Sequence, residues 1–253
     1  MDALSVPGPL ALVGGDELNP GNEAQDRILV AAAGEGPSFV LATATARGHA
    51  EPTVRHATEW FGRLGLDVEE LPAIRRRDVT SAQITARARQ GKFFYLVGGD
   101  PGKVPTTLAG TPLWESIIAA WLDGAALAGS SAGAMALGEW SLTSGGDASH
   151  AGRRFAAGLR VVPNIAVIPQ LDTFGEGWLA GALAGRPRED AVLVGIDERS
   201  AALWQDGRWR AYGPGGVTVF TNGTRSRFQD GEVIEGMPMP SLDSGGPTDR
   251  SGT

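Results

Sequence analysis

The sequence predicts an α/β protein with a doubly wound, mainly parallel sheet flanked by helices and with antiparallel strands near the C-terminus. Three observations support this fold class. Short, almost wholly apolar runs recur through most of the chain, and such runs are typical of parallel strands that are buried on both faces. Segments with apolar residues at helical spacing lie between these runs, which implies βαβ units. The last part of the chain carries shorter segments that are punctuated by turns.

The predicted strands and helices alternate along the chain. The apolar runs are Pro9–Val13, Ser38–Ala42, Phe93–Val97, Ala125–Ala128, Ile165–Ile168 and Ala191–Ile196. The segments with helical spacing are Thr53–Leu64, Ser81–Arg89 and Pro112–Leu122. In the last of these, Thr111 is a favourable N-cap and Pro112 suits the first helical position. Units of this kind connect in a right-handed sense and build a doubly wound sheet.

The C-terminal part has a different pattern. Its short, more alternating segments are Ala201–Trp204, Trp209–Tyr212, Val217–Phe220 and the stretch around Glu232–Ile234. We expect them to form antiparallel strands at the sheet edge. Residues 1–240 are therefore predicted to form a single α/β domain. Residues 241–253 are small, polar and rich in Gly and Pro, so we expect a disordered tail there.

Composition narrows the possible chemistry. The 253 residues include no cysteine, which excludes disulfides, thiolate metal sites and a cysteine nucleophile. Three histidines leave little room for a histidine-rich zinc site, and a net charge of -7 argues against nucleic acid as a partner. Met1–Val6 has no basic region, and no run approaches the roughly 20 apolar residues of a membrane helix. We therefore expect no signal peptide, no membrane partner and a cytoplasmic protein.

One segment carries the strongest indication of catalysis. Gly129–Gly133 (GSSAG) fits the pattern G-x-S-x-G and follows a predicted buried strand directly. In this pattern a nucleophile, here Ser131, lies on a sharp turn between strand and helix, where the neighbouring residues must be small. The N–H of Ala132, at the start of the next helix, is then available to a developing oxyanion. A turn of small residues that permits tight strand–helix packing explains the same pattern equally well.

A second glycine site follows another predicted strand. Gly98, Gly99 and Asp100 end the run Phe93–Val97, and glycine N–H groups there would supply the other half of an oxyanion hole. An ordinary turn between strand and helix is the alternative, and Gly14–Asp16 (GGD) poses the same choice. None of these segments is a dinucleotide-binding fingerprint or a phosphate-binding loop with lysine, so we expect no nucleotide or other cofactor, and no metal.

Together these motifs resemble peptidase family S51, which contains cyanophycinase and dipeptidase E. The resemblance lies in Gly98–Asp100, Gly129–Ala134 and Gly195–Glu198 (GIDE), in that order and spacing. The family's fold is related to class I glutamine amidotransferases, with serine in place of their cysteine. The resemblance implies that Ser131 is the nucleophile and that Gly99 and Ala132 supply the oxyanion N–H groups. It also implies that the sequence from Asp197 to Glu198 is a strand-end segment following the catalytic half.

The resemblance extends unevenly to the other catalytic positions. The family's acidic member follows the nucleophile in a loop, where Asp147 is the best match and Glu139 a weaker one. The family's histidine follows a buried strand, and Gln170 occupies that position here. A glutamine amide has no proton equilibrium near neutral pH, so Gln170 can hold the hydroxyl of Ser131 but cannot act as its base. His150, near Asp147, is the one substitute in the right neighbourhood, although a solvated loop histidine explains it more simply.

Two functions follow from these residues. The first is a serine peptidase or amidohydrolase in which Ser131 attacks a small peptide or amide and water releases the acyl-enzyme. The second is a catalytically impaired relative that binds a peptide or metabolite without efficient turnover. We expect a small peptide or amide as the partner, and self-association as a homodimer remains open.

Overall fold

The structure is a computed structural model. It describes residues 6–45, 49–143, 154–221 and 223–241, with the backbone alone for residues 175–177. The strands are β1 (Leu10–Val13), β2 (Ser38–Leu41), β3 (Glu69–Glu70), β4 (Phe93–Leu96), β5 (Ala126–Ser130), β6 (Gly138–Thr143), β7 (Arg154–Ala157), β8 (Val162–Pro169), β9 (Val192–Ile196), β10 (Ala201–Gln205), β11 (Arg208–Tyr212), β12 (Val217–Thr221) and β13 (Thr224–Phe228). The helices are α1 (Glu23–Ala33), α2 (Ala50–Arg63), α3 (Arg76–Val79), α4 (Ala82–Arg89), α5 (Lys103–Leu108), α6 (Pro112–Leu122), α7 (Ala132–Leu137) and α8 (Leu171–Ala184).

The strands form two sheets. Sheet A has the order β11-β10-β1-β5-β4-β2-β3, in which the five strands from β1 to β3 are parallel and β10 and β11 are antiparallel. Sheet B has the order β13-β12-β9-β8-β6-β7, in which β6, β8 and β9 are parallel and the outer strands are antiparallel. The predicted fold class is confirmed, including the antiparallel strands near the C-terminus.

The expectation of one sheet was wrong, because the predicted strands divide between sheets A and B. Apolar composition shows that a strand is buried on both faces but does not show which strand it pairs with. The division begins at Gly138, where β6 follows α7 directly and starts sheet B. β10 also lies inside sheet A, between β1 and β11, rather than at its edge.

Both faces of sheet A are covered, as the continuous apolar runs predict. On one face Phe94 and Leu127 pack with Trp121 of α6 in a large core that continues under sheet B. On the other face Phe93 packs edge-on against Phe61 of α2, with ring centroids 4.9 Å apart. Burial stabilises these strands because their apolar side chains are removed from water. Sheet A therefore forms a rigid platform whose carboxyl edge can hold side chains in fixed positions.

Local signals located some elements closely and missed others. The N-cap of α6 is confirmed, since the Thr111 hydroxyl accepts a hydrogen bond from the Trp114 N–H and Pro112 opens the helix. Helix α1 was not predicted, because its buried face includes the polar residues Gln25 and Asp26. The Glu232–Ile234 segment contributes one isolated bridge from Val233 rather than a strand. Residues 242–253 of the proposed tail lie outside the described residues.

Within the part of the chain that the structure describes, no helix is both long enough and apolar enough to cross a membrane.

Candidate active site

The carboxyl end of β1 is the point at which the two sheets meet. Three consecutive carbonyls hold three separate segments there. The carbonyl of Val13 accepts from the N–H of Ser131 at 3.0 Å, and that of Gly14 accepts from the N–H of Gln170 at 2.8 Å. The carbonyl of Gly15 accepts from the N–H of Arg199 at 2.9 Å. The two positions assigned to nucleophile and base are therefore fixed to neighbouring peptide units.

Ser131 has the backbone geometry of a nucleophile on a sharp turn. It lies between β5 and α7 with φ 49° and ψ -111°, and its side chain is half-buried. A non-glycine residue at such angles costs roughly 1–3 kcal/mol, and strain of this kind concentrates at functional sites. The small neighbours are also required for packing, since a Cβ on Gly129 would lie 2.5 Å from the Gly133 carbonyl. The packing explanation of the GSSAG pattern is therefore confirmed, and the role of Ser131 as a nucleophile stays a prediction.

The paired glycines lie directly beside Ser131. Leu96 of β4 is in register with Gly129 of β5, and two residues further along both strands a Cβ on Gly98 would lie 3.2 Å from the Ser131 Cβ. Gly99 has φ 142°, and a Cβ there would lie 2.3 Å from the Ala44 carbonyl oxygen. Position 99 therefore requires glycine, whereas a Cβ at position 98 would require the Glu17 side chain to shift. The exposed carboxylate of Asp100 accepts a hydrogen bond from the N–H of Gly102 in its own turn.

Glu17 is a site residue that sequence reasoning missed. Its Oε1 accepts from the Gly98 N–H at 2.7 Å and its Oε2 accepts from the Ser130 hydroxyl at 2.9 Å. An available signal was its position directly after the Gly14–Asp16 turn, which was considered only for its glycines. Glu17 also lines an open groove of about 410 Å³ together with Asp16, Leu18, Asn19, Pro52, Thr53 and His56.

The side chain of Gln170 contacts the carboxylate of Glu198. Its Nε2 donates to Glu198 Oε1 at 3.0 Å, and the N–H of Glu198 donates to Asp172 Oδ1 at 3.0 Å. Gln170 has φ 54° and ψ 41°, and its Cγ lies 3.0 Å from the position of a Cβ on Gly15. The lack of a side chain at Gly15 thus makes room for the Gln170 side chain.

Of the other acidic and basic candidates, only Glu139 lies within the described residues. Asp147 and His150 lie outside the described residues. Glu139, the weaker acidic candidate, accepts from the Asn164 N–H at 2.7 Å on sheet B. The sequence carried one signal for Glu198, since Gly195–Glu198 was a motif of the resemblance, but no role was given to its carboxylate.

A buried ionisable group lies in the layer next to this site. Asp26 of α1 is fully buried, and burial raises its pKa from 3.8 to about 7, with smaller contributions from Glu23 and Glu17. The Trp60 indole N–H donates to Asp26 Oδ2 at 2.7 Å and opposes the rise. Burial also raises the pKa of Tyr95 well above its usual range, and the charges of Asp26 and Glu17 add to that shift. In the described residues, no three His, Asp or Glu side chains are grouped to hold a metal ion.

Comparison with known proteins identifies the family. A model of peptidase family S51 matches residues 10–211. The chain belongs to peptidase family S51. The matched region includes Glu17, Gly98, Ser131, Gln170 and Glu198, so the whole described site lies inside it.

Relatives within the curated proteins are named cyanophycinase. The chain is 31% identical over 166 residues to the cyanophycinase of Trichormus variabilis, an alignment that covers 63% of this chain and 55% of the relative. It is 31% identical over 150 residues to the cyanophycinase of Synechococcus elongatus, covering 57% of this chain and 46% of the relative. The chain thus spans about half the length of the curated relatives it matches.

Solved structures show the same fold. A crystal structure of a peptidase from an acI-B1 Actinobacterium matches with a TM-score of 0.79 and 26% identity, covering 91% of this chain and 98% of that one. A Listeria monocytogenes protein described as a putative peptidase E matches with a TM-score of 0.61 and 17% identity, covering 83% of this chain and all of the other. The second likeness shows the fold alone. The family assignment supports a hydrolase of the peptidase class.

Proposed function

We propose that this protein is a serine-type peptidase or amidohydrolase that cleaves a small peptide or amide with Ser131 as its nucleophile. The observation that carries the proposal is the strained turn of Ser131, with φ 49° and ψ -111°, packed against Gly98. In this proposal Ser131 Oγ attacks the substrate carbonyl, and the N–H groups of Gly99 and Ala132 stabilise the oxyanion. The tetrahedral intermediate then collapses, the C–N bond breaks, and the amine leaves with the proton from Ser131; water hydrolyses the resulting acyl-enzyme to the acid product and restores the Ser131 hydroxyl.

Removal of the proton from the Ser131 hydroxyl is the difficult step. Gln170 uses its Nε2 to bind Glu198, so its side-chain carbonyl is the group left to accept a hydrogen bond from a nearby hydroxyl. A hydrogen bond from the Ser131 hydroxyl to that carbonyl would orient the nucleophile without removing its proton. General-base catalysis contributes on the order of 10²- to 10⁴-fold, so we expect slow turnover by a site whose nucleophile and oxyanion donors are in place.

A catalytically impaired S51 protein that binds a peptide or metabolite is the second candidate. The observation that favours it is the hydrogen bond between Gln170 and Glu198. In this pair Gln170, whose side chain does not titrate, stands where the family has its basic residue. Such a protein would use the groove and the oxyanion N–H groups for recognition alone.

Active-site labelling tests the two candidates. The full chain is incubated with a fluorophosphonate probe, and the modified peptide is mapped by mass spectrometry. The hydrolase proposal expects the probe on Ser131, with no labelling of Ser131→Ala. Ser38→Ala is the matched control, since Ser38 is also buried but lies at the amino end of β2, opposite the carboxyl ends of the strands that carry the site. It should leave Ser131 as the labelled residue. An unlabelled wild-type protein that still binds small peptides would favour the impaired relative.

A further inference from the structure

Glu17 joins the ends of two neighbouring strands of sheet A. One carboxylate oxygen accepts from the Gly98 N–H just beyond β4, and the other accepts from the Ser130 hydroxyl at the end of β5. Ser130 is fully buried and immediately precedes Ser131. Hydrogen bonds to an ionised carboxylate are roughly twice as strong as neutral ones, so this side chain ties the glycine loop to the strand that carries the nucleophile.

The loop that carries Glu17 is built to hold it there. The residues on both sides, Asp16 and Leu18, have positive φ of 50° and 62°, which costs roughly 1–3 kcal/mol each for non-glycine residues. The surrounding structure maintains this conformation. Leu18 is buried, and the fully buried Asn22 donates to the Asp16 carbonyl at 2.8 Å. Gln25, also fully buried, donates in turn to the side-chain oxygen of Asn22 at 2.9 Å.

This contact decides which glycine N–H can face a substrate. The Gly98 N–H points at Glu17 and is therefore unavailable to an oxyanion. The Gly99 N–H belongs to the next peptide unit along the chain. Glu17 fixes the preceding unit, Val97–Gly98, beside the Ser131 Cβ, and so limits the directions in which the Gly99 N–H can point. We propose that Glu17 is a positioning residue that holds the Val97–Gly98 peptide and thereby keeps the Gly99 N–H in register with Ser131, so that Gly99 alone of the pair serves as oxyanion donor. This inference rests on the proposed hydrolase function.

The geometry favours positioning over proton transfer. Both oxygens of Glu17 already accept hydrogen bonds. In the described part of the chain, neither oxygen is bonded to the Ser131 hydroxyl. A glutamine at position 17 would reproduce the arrangement, because its carbonyl can accept from Gly98 and its NH₂ group can donate to Ser130. It would not reproduce a base. Glu17→Gln therefore distinguishes a positioning role of Glu17 from a role in proton transfer.

The test uses Glu17→Gln, Glu17→Ala and Glu17→Asp in the full chain. Glu23→Ala is the control, because Glu23 also accepts a backbone N–H at 2.7 Å, from Gly21, but belongs to a different contact. The first readout is the rate constant for fluorophosphonate labelling of Ser131. The second, which needs no activity, is the chemical shift and hydrogen exchange of the Gly98 and Gly99 amides in assigned NMR spectra. Melting temperatures show whether each variant folds, and Glu17→Asp serves if Glu17→Ala does not.

We expect Glu17→Gln to label Ser131 within about threefold of wild type, since its hydrogen bonds are retained. Glu17→Ala and Glu17→Asp should label more slowly by on the order of 10²-fold, the usual effect of losing an oxyanion donor. In both, the Gly98 amide should shift and lose protection from exchange. Glu23→Ala should match wild type in both readouts.

Three results would overturn the inference. Equal labelling by wild type and Glu17→Ala would show that the contact does not serve the nucleophile. An unchanged Gly98 amide in Glu17→Ala would show that the hydrogen bond is absent. Loss of labelling in Glu17→Gln as severe as in Glu17→Ala would show that the charge is needed, as for a base. Failure of the proposed function looks different: wild type itself is then unlabelled while the Gly98 amide still responds to Glu17→Ala, and no catalytic role for Glu17 survives.

Discussion

The two halves of the candidate site, one at the end of each sheet, differ in what they retain. The sheet A half combines a strained serine, paired glycines and the Glu17 carboxylate, which accepts hydrogen bonds from Gly98 and Ser130. The sheet B half has the same kind of backbone order, with Gln170 fixed to Gly14 and hydrogen-bonded to Glu198, but it lacks a titrating side chain at position 170. The nucleophile half depends on backbone conformation, whereas the other half depends on one side chain. A single substitution can therefore disable or restore one half without disturbing the fold.

Gln170→His should have the largest effect, because under the proposed function it would supply a base to an otherwise ordered half. We expect hydrolysis of small peptide or ester substrates to rise by on the order of 10²-fold or more. The rate should increase between roughly pH 6 and 8, since the neutral imidazole is the active form. Steady-state rates across this pH range measure the effect.

Two further variants show whether the gain has the expected origin. Gln170→His with Ser131→Ala should be inactive. Gln170→His with Glu198→Ala should lose most of the gain, because the Gln170 contact indicates Glu198 as the carboxylate that orients position 170. If the gain instead survives loss of Glu198 and disappears with Asp147→Ala, the acidic partner predicted from the sequence is the correct one.

Gly98→Ala tests the other half. The added Cβ would lie 2.9 Å from Glu17 Oε1 and 3.2 Å from the Ser131 Cβ, so one of these groups must move. We expect fluorophosphonate labelling of Ser131 to fall by on the order of 10- to 10²-fold. Gly62→Ala is the matched control, because a Cβ there meets no atom within 4 Å. Labelling that is unchanged in Gly98→Ala would show that the nucleophile half tolerates displacement of its parts.

The sequence predicted the nucleophile half better than the base half, for physical reasons. Small residues around Ser131 are required by close backbone contacts, so the chemistry appears in the sequence as a compact pattern. Gln170 and its partner Glu198 are 28 residues apart in sequence, and local patterns do not show such pairing. Glu17 approaches Gly98 across 81 residues for the same reason. The division into two sheets likewise depends on pairing between strands rather than on the composition of any one strand.

Asp26→Asn should change the free energy of unfolding by an amount that depends on pH. The folded-state pKa is about 7 against an ordinary value of 3.8, so the folded protein holds a proton that the unfolded chain releases between these values. The free energy of unfolding of wild type therefore falls as pH rises from about 4 to about 7. The amide stays neutral and can still accept from Trp60. Its advantage should be near zero at pH 4 and on the order of a few kcal/mol at pH 8.

Urea denaturation of both proteins at pH 4, 6 and 8 measures this difference, since other titrating groups are shared and cancel in the comparison. Labelling of Ser131 at pH 8 in the same variant shows whether the charge on Asp26 affects the nearby nucleophile half. A wild-type and variant difference that does not change with pH would contradict a raised pKa at Asp26.

His150→Ala should have the smallest effect. His150 was the one histidine near the predicted acidic loop, and its use as a base would make the glutamine at position 170 irrelevant to proton transfer. The contact of Gln170 with Glu198 argues against that arrangement, because the carboxylate that would orient a base faces position 170. A base must lie within hydrogen-bond reach of both its orienting group and the nucleophile. We therefore expect His150→Ala to label at Ser131 and to hydrolyse test substrates at the wild-type rate, measured at pH 6 and pH 8. If this substitution alone abolishes activity, His150 is the base, and the sheet B half of the site serves recognition rather than proton transfer.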